Sequence, residues 1–312
     1  MDGLGEIKLQ RRKARWPVAD MRDNEILAVI EAKNWQADFP QAERERALDA
    51  LEAGRIVYFP GLDFALDEEE RAFLDPATVK EPRKHGGRAR VIFFADSGKS
   101  YKIKAEGAVK AAMEAMVARY AAAAHGLVCR LFPDYVGALE IGPTTYRPYP
   151  RTSIQGLHVD SFFLFPTEGK RVLRLFTNIN PSGKPRVWQV GDAFEPFSRH
   201  FLPQVKREIP GSGWLLKNLH ITRGRRTPYD HAMRQLRNLC KRDKSFQNDA
   251  PRHWVEFPSG SSWIVFPDAR LHGAATGQFA FEQTFFLPVD AMRDPARSPL
   301  RQLERHFGRV LA

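Results

Sequence analysis

The sequence has few cysteines, no long apolar segment and fewer acidic than basic residues. Its only cysteines, Cys129 and Cys240, cannot form a disulfide framework or a zinc knuckle, and Cys129 lies in an apolar segment typical of a core. No apolar run approaches the roughly 18 residues that a membrane span requires. The basic N-terminus has no apolar segment of the kind that signal peptides contain, so we expect a cytosolic protein.

The shortage of acidic residues gives the chain a strongly basic character. Lysine and arginine number 48 against 37 aspartates and glutamates, for a formal net charge of +11. Such a surplus favours an anionic partner, which would be nucleic acid, an acidic membrane surface or a phosphorylated substrate. The alternative is that the charge serves only solubility.

The pattern of apolar residues predicts a basic arm at 1–20 and a single domain at 21–312, with no internal repeat or low-complexity tract. The N-terminal part of that domain, 21–135, is predicted to be largely helical, with helices at 22–53, 67–74 and 105–124 and strands at 55–61 and 90–94. From 136 to 290, short apolar runs between Gly and Pro turns predict a β-sandwich, barrel or jelly roll. A basic helical insert is expected at 194–245 and a C-terminal helix at 298–307, where Ser298 and Pro299 form the N-cap and first turn.

Residues 157–163 read L-H-V-D-S-F-F and place two metal-ligand side chains in a predicted strand. Alternate side chains of a strand point to the same face, so His158 and Asp160 are expected to lie side by side. The pair has two simpler interpretations, a solvated polar face or a hydrogen-bonded His–Asp pair, because the motif is common by chance.

A third candidate ligand, His272, lies between two apolar strands 112 residues after Asp160. This order, His-x-Asp followed by a distant His, is that of the 2-His-1-carboxylate site of iron(II). Three protein ligands occupy one face of the ion and leave positions open for a co-substrate and dioxygen. The alternative for His272 is a loop histidine near the mouth of a barrel.

Several neighbouring segments resemble the Fe(II)/2-oxoglutarate oxygenases, including R-I-V-Y-F-P-G before an acidic segment and R-V-L-R-L-F-T-N-I-N after Asp160. The chain also contains four longer blocks, L-E-A-G-R-I-V-Y-F-P-G-L, L-R-L-F-T-N-I-N-P-S-G-K-P-R-V-W-Q-V-G, G-Q-F-A-F-E-Q-T-F-F-L-P-V-D-A-M and D-P-A-R-S-P-L-R-Q-L-E-R. These blocks are similar to the Kdo 3-hydroxylase family of Gram-negative bacteria. The resemblance implies an α+β protein whose core is a double-stranded β-helix, or cupin-like jelly roll, braced by helices. It also implies iron(II), 2-oxoglutarate and O2 as reactants, with hydroxylation of 3-deoxy-D-manno-oct-2-ulosonic acid (Kdo) at C3 on lipid A, giving Ko.

The resemblance leaves the cation for 2-oxoglutarate open, because Glu282 stands where many relatives carry Arg or Lys. A carboxylate does not bind a carboxylate, so the cation must come from elsewhere. Strand alternation puts Arg174 on the face shared by Phe176, Asn178 and Asn180, opposite to Arg171, and burying such a charge unpaired is costly. We therefore predict that Arg174 binds 2-oxoglutarate, and the alternative is a structural salt bridge to Glu282. The further candidates for this pocket are Thr284, Asn178, Tyr146 and Arg147.

The insert carries a dense group of cations with few acidic residues among them. We predict that Arg223, Arg225 and Arg226 bind the phosphates or the sugar carboxylate of a Kdo-containing lipid A glycolipid, and that Arg151 and Gln155 contact the sugar. The loop 82–90 is a candidate for the opposite wall. The same cations would dock the enzyme on the anionic cytoplasmic face of the inner membrane. A solvated helix face is the alternative, and homo-oligomerisation is left open.

Two other functions also account for the charge. An alkylated nucleic-acid demethylase of the same fold usually carries arginines soon after the distal His, but residues 273–288 contain none. A non-catalytic basic β protein that binds RNA or DNA would need no metal and would bind with a steep salt dependence. A halogenase is disfavoured, because Asp160 occupies the position that halide would need. We therefore expect no nucleic-acid partner.

Overall fold

Two β-sheets face one another in the computed structural model, which describes residues 26–79, 90–151 and 153–312. The predicted basic arm at 1–20 and nearly all of the loop at 82–90 lie outside these ranges. The strands of the described residues are β1 (Leu27–Val29), β2 (Ile56–Phe59), β3 (Val91–Phe94), β4 (Lys99–Tyr101), β5 (Glu140–Arg147), β6 (Arg171–Asn178), β7 (Arg186–Ala193), β8 (His253–Phe257), β9 (Ser261–Val265), β10 (Arg270–Ala274) and β11 (Ala280–Leu287).

The larger sheet has the strand order β1-β2-β9-β6-β11-β5-β3-β4, and the smaller has the order β10-β7-β8. Apart from β1 with β2, the paired strands are antiparallel. Consecutive strands of the second half pass back and forth between the sheets, which is the path of a jelly roll. The predicted α+β jelly roll is therefore confirmed.

The register of the larger sheet decides which side chains point between the sheets. Arg174 lies opposite Thr284 and Phe176 opposite Glu282 on neighbouring strands, so these four side chains share the inner face. Phe176 stacks on Trp263 within the apolar core between the sheets. The inner face therefore combines an apolar floor with a polar end.

Helices cover the outer face of the larger sheet, and further helices pack beside the smaller sheet. They are α1 (Gln41–Glu52), α2 (Gly107–Leu131), α3 (Phe194–Phe201), α4 (Ser212–Asn218), α5 (Pro228–Arg242), α6 (Lys244–Asp249) and α7 (Pro299–Phe307). Tyr120 of α2 stacks on Phe281 of β11 with ring centroids 4.5 Å apart, and full burial of such a ring contributes about 1.5–3 kcal/mol. None of the described helices is long and apolar enough to span a membrane.

The helix predicted at the C-terminus forms, whereas the helix predicted near the N-terminus forms only in part. The Ser298 hydroxyl accepts the Arg301 amide and caps α7, as predicted. The helix predicted at 22–53 is wrong in its first half, since Leu27–Val29 forms β1 parallel to β2 and only Gln41–Glu52 is helical. A short apolar run is compatible with the periodicity of a helix and with that of a strand, and here pairing with β2 makes it a strand.

The segment around the His-x-Asp motif is also more irregular than predicted. Instead of the strand predicted over 157–163, His158 alone forms an isolated antiparallel bridge with His272. The Asp160 amide then donates to Pro267 O at 2.8 Å, and the chain turns away. The segment thus extends the smaller sheet beside β10 for one residue. The division into an arm and a single domain stays a prediction.

Candidate metal centre

Three candidate ligands converge at one end of the space between the sheets. His272 lies on β10, and the bridge between the two histidine backbones brings His158 beside it. Asp160 Oδ1 lies 3.7 Å from His158 Nε2 and 4.0 Å from His272 Nε2. One ligand atom from each residue lies within 4.8 Å of the others, so a single ion can contact all three.

Both imidazole rings are oriented by main-chain carbonyls. His158 Nδ1 lies 2.9 Å from Gly156 O, and His272 Nδ1 lies 3.1 Å from Arg270 O. A carbonyl only accepts hydrogen bonds, so Nδ1 must carry the proton in each ring. This leaves Nε2 of each ring with its lone pair directed at the metal position, the arrangement that metal-binding histidines commonly have.

The backbone packs closely behind the site, which explains the glycine after His272. A Cβ atom on Gly273 would lie 2.2 Å from Gln155 O, a distance that no real contact allows. The segment that begins at Gln155 is thereby held against β10. The Gln155 side-chain amide also lies 2.7 Å from His158 Nε2, which puts this predicted sugar contact at the metal position.

Two arginines and two carboxylates form a buried network beside the ligands. Arg174 Nη1 lies 2.8 Å from Asp160 Oδ2, and Arg174 Nε lies 3.5 Å from Glu282 Oε1. Arg147, on the adjacent β5, donates to Glu282 from its other side. The predicted alternative, a salt bridge between Arg174 and Glu282, is thus present, and Arg174 contacts the metal ligand as well.

The electrostatic environment favours the ligand forms that bind a metal. Burial and the neighbouring His272 lower the pKa of His158 well below its usual value, which keeps the imidazole neutral. Burial alone would raise the pKa of Asp160, but Arg174 and the two histidines outweigh it and hold the pKa below its usual range. A neutral imidazole and an ionised carboxylate are the species that coordinate a metal.

The network also leaves polar atoms for an added ion and an anion. Asp160 Oδ2 and Arg174 Nε are buried and make no well-aligned hydrogen bond with any described residue, despite their short ion-pair distances. Two imidazole nitrogens and one carboxylate are the donor set that suits non-heme iron(II). Iron at the triad and a carboxylate near Arg174 would satisfy these atoms, so the residues fit both groups.

The predicted co-substrate residues divide between the two faces of the larger sheet. Arg174, Thr284 and Arg147 share the inner face with Glu282. Tyr146 points to the helical layer, where it donates to Phe73 O and contacts the Phe281 ring, so it does not reach the pocket.

Asn178 lies on the inner face but away from the triad. Its amide nitrogen donates to Lys184 O and Phe257 O, and its oxygen accepts the Asn180 amide. These hydrogen bonds stabilise the turn after β6, so the Asn178 side chain has a structural role. Asn178 is therefore not brought to the metal centre.

Apart from Gln155, the predicted acceptor residues lie on segments that lead away from the triad. The Arg151 amide donates to Gly277 O at the start of the segment that reaches Gln155. The Arg223 amide donates to Leu164 O and the Arg225 amide to Glu168 Oε1. The Arg226 guanidinium lies 5.6 Å from the centre of the Phe163 ring. The insert is thus attached to the loop 161–168, which directly follows Asp160.

Two aromatic residues at the site were not predicted. Trp188 of β7 stacks on His272 with ring centroids 5.4 Å apart, and the Arg174 guanidinium lies 5.4 Å from the Phe162 ring centre. Phe162 had a signal in the sequence, since it follows Asp160 by two residues. Trp188 had none, because only the pairing of β7 with β10 brings it to the site.

A jelly roll with two histidines and one carboxylate at the open end of its core defines the class of non-heme iron oxygenases. The comparisons with known proteins narrow this class. Residues 34–310 match the family model for 3-deoxy-D-manno-oct-2-ulosonic acid (Kdo) hydroxylase. The chain therefore belongs to the Kdo hydroxylase family, which confirms the resemblance predicted from sequence.

Solved structures of one Kdo hydroxylase are similar to this chain, in agreement with the family match. One is the Kdo hydroxylase KdoO, a non-heme Fe(II) alphaketoglutarate dependent dioxygenase, in complex with alphaketoglutarate and Fe(III). Its sequence is 36% identical to this chain, its structure aligns with a TM-score of 0.86, and the match covers 92% of this chain and 97% of that one. The apo structure of KdoO is 37% identical with the same TM-score and coverage. Its complex with succinate and Fe(III) is 37% identical with a TM-score of 0.86, covering 91% and 97%. No sequence among the curated proteins matches the chain.

Proposed function

We propose that this protein is an Fe(II)- and 2-oxoglutarate-dependent dioxygenase that hydroxylates C3 of Kdo in the lipid A-linked inner core, giving Ko. The observation that carries the proposal is the convergence of His158, Asp160 and His272 in a chain of the Kdo hydroxylase family. KdoO, which aligns with almost the whole chain, binds Fe(III) together with alphaketoglutarate.

The triad holds the iron, and the residues around it control access. When bound, iron and 2-oxoglutarate would supply the oxidative chemistry, in which one oxygen atom of dioxygen enters a C–H bond of the acceptor and the other enters succinate as 2-oxoglutarate loses CO2. The Gly156 and Arg270 carbonyls keep each Nε2 directed inward, and the carboxylate of Asp160 supplies the negative charge. Trp188 stacks on His272 and Phe162 lies beside the Arg174 guanidinium, so both rings are proposed to limit the entry of water.

Arg174, with Thr284 opposite it, is the proposed anchor of the far carboxylate of 2-oxoglutarate. Arg174 is partly buried on the inner face beside Asp160, and its buried Nε makes no well-aligned hydrogen bond with a described residue. Arg147 neutralises Glu282 from the other side, so the Arg174 charge is not fully used by that carboxylate. The network of two arginines and two carboxylates is neutral, and iron(II) together with the 2-oxoglutarate dianion would keep it so.

The acceptor is proposed to bind between the metal centre and the insert. Gln155 is positioned to contact the sugar near the iron, with Arg151 on the same segment. Arg223, Arg225 and Arg226 are proposed to hold phosphates or the Kdo carboxylate, because they border the loop that leaves Asp160. A lipid-linked acceptor implies that the enzyme works at the cytoplasmic face of the inner membrane as a peripheral protein.

One experiment tests this function. Iron-loaded protein is incubated with Kdo-bearing lipid A, 2-oxoglutarate and oxygen, and the products are analysed by mass spectrometry. We expect the sugar to gain one oxygen atom with matched formation of succinate. Hydroxylation of an alkylated nucleic acid, with no change in the glycolipid, would instead support the demethylase alternative.

A further inference from the structure

An apolar surface on the insert has no partner within the described chain. Helix α4 contains no buried residue, although its sequence is S-G-W-L-L-K-N. The side chain of Trp214 is 65% exposed and that of nearby Ile209 is 76% exposed. Leu215, Leu219 and Ile221 are also exposed. Helices of globular proteins normally bury such residues, and a contiguous exposed apolar patch marks an interaction site.

The loop that follows the metal ligand Asp160 continues this surface. Its side chains Leu164 and Phe165 are exposed. Leu164 O accepts the Arg223 amide at 2.9 Å, and the Arg223 guanidinium lies 5.3 Å from the centre of the Phe165 ring. Leu216 O accepts the Ile221 amide at 3.0 Å, which folds the chain after α4 back onto the helix. We call the exposed apolar side chains of these two segments the apolar face; they are Leu164, Phe165, Ile209, Trp214, Leu215, Leu219 and Ile221.

Basic residues surround the apolar face. The segment 205–227 contains six lysines and arginines and a single acidic residue, Glu208, which is bound by Arg309. The six are Lys206, Arg207, Lys217, Arg223, Arg225 and Arg226. A cavity of about 130 Å³ opens where the two kinds of residue meet, and Trp214, Arg225, Arg226 and His231 contribute to its lining. Apolar side chains with tryptophan among them, bordered by cations, are the composition of protein surfaces that lie in the membrane interface.

We propose that the apolar face inserts into an anionic lipid leaflet, with its basic border on the lipid headgroups. Charge complementarity selects this occupant, because the cations are attracted to an anionic leaflet, whereas a second copy of a +11 chain would be repelled. The proposal rests on the proposed function only in that a lipid-linked acceptor has to be reached in a membrane. It adds a specific contribution, hydrophobic insertion beside the metal centre, which the basic residues alone do not supply.

The test measures flotation of the full-length protein with vesicles. Vesicles of phosphatidylethanolamine and phosphatidylglycerol are compared with vesicles of phosphatidylcholine alone. The variant Trp214→Ser/Leu215→Ser/Leu219→Ser is compared with a matched variant, Val109→Ser/Val136→Ser, which removes exposed apolar side chains at the two ends of the α2 region. We expect the parent and the matched variant to float with anionic vesicles and the triple variant to lose about tenfold or more of this binding.

A second readout separates this surface from the catalytic machinery. With detergent-dispersed glycolipid, the triple variant should hydroxylate at the parental rate, and with vesicle-embedded glycolipid its rate should fall in parallel with flotation. Equal flotation of the triple variant and parent would overturn the proposal, and so would equal losses in detergent and vesicles. If the parent does not float and is a dimer that the triple substitution converts to a monomer, the apolar face would instead bind a second copy of the chain. If the parent hydroxylates the glycolipid neither in detergent nor in vesicles, the proposed function is refuted. Flotation would still decide whether the apolar face binds the membrane.

Discussion

At the scale of single residues, Asp160 has two contacts that can be separated experimentally. It supplies the carboxylate of the triad and it pairs with Arg174 at 2.8 Å. We expect Asp160→Ala to abolish iron binding and turnover without unfolding the protein. Arg174 keeps Glu282 as a partner in this variant, so the loss of stability should be smaller than the about 3–5 kcal/mol that an unpaired buried charge costs.

Iron content, activity and thermal unfolding of the purified variant check this prediction. Asp134→Ala serves as the control, because Asp134 is a more exposed aspartate on the opposite side of the larger sheet from the triad. Full activity of Asp160→Ala would remove the triad from consideration. A globally unfolded variant would show that Arg174 depends on Asp160 for its structural role.

The buried arginines of β6 provide a second comparison at this scale. Arg174 faces the metal centre, whereas Arg171 faces the helical layer, donates to Asp268 and stacks on the Phe266 ring. We expect Arg174→Met to raise the KM for 2-oxoglutarate strongly and that for the acceptor little, since losing one partner of a buried charged contact costs about 2–5 kcal/mol. Arg171→Met should instead lower the unfolding temperature and leave the KM for 2-oxoglutarate near the parental value.

Steady-state kinetics with each substrate varied separately distinguish the two variants. If the KM for 2-oxoglutarate does not change in Arg174→Met, the anchoring role moves to Arg147, which lies on the same inner face. The same measurement on Arg147→Met then decides between the two arginines.

At the scale of elements, a buried carboxylate joins α5 to the loop after the metal ligands. Asp230 forms the capping box of α5 with Thr227, and its other oxygen accepts the Thr167 amide and hydroxyl. Thr227→Ala should cost about 1 kcal/mol of stability through the cap alone. Asp230→Ala should cost more, about 1–3 kcal/mol, because it also leaves buried donors without partners.

Chemical denaturation of both variants measures the difference, and acceptor kinetics report the position of the loop. Asp230→Ala should weaken acceptor use more than Thr227→Ala does, since Asp230 bonds to Thr167 in the loop 161–168 and the Thr227 side chain bonds only within the cap. Equal effects of the two substitutions would limit Asp230 to its capping role.

At the scale of the whole molecule, the net charge of +11 predicts a salt-dependent step in acceptor capture. We expect Arg225→Glu/Arg226→Glu to weaken use of the glycolipid and membrane association, and to leave uncoupled 2-oxoglutarate turnover nearly intact. Added salt should reproduce the loss in the parent, because exposed charges are screened over about 8–10 Å at physiological ionic strength.

Acceptor titrations at low and high salt, with nucleic acid as a competitor, test this prediction. A double variant that hydroxylates its glycolipid as well as the parent at low salt would reduce the insert to a solvated surface. Loss of DNA or RNA retention that lipid A does not compete for would favour the nucleic-acid alternative.

The sequence by itself determined features that depend on local geometry. An extended backbone places residues two apart on one side, so His158 and Asp160 were predicted to lie together, and Arg174 and Arg171 were predicted on opposite faces. The α7 cap at Ser298 also follows from neighbours in the chain. The family resemblance selected the jelly roll among the β folds that the pattern allowed and added 2-oxoglutarate and the Kdo substrate, since its long C-terminal blocks are specific.

Only the tertiary structure decided which face of each strand points inward and which side chains meet there. Tyr146 and Arg147 were both candidates for the 2-oxoglutarate pocket, and only the pairing of β5 with β11 shows that Arg147 reaches Glu282 while Tyr146 points to the helices. Likewise, pairing with β2 made a strand of Leu27–Val29, and the tertiary structure left α4 without a buried residue. Alternation and capping act within a few residues, whereas strand pairing and burial depend on partners distant in the chain, which no local pattern specifies.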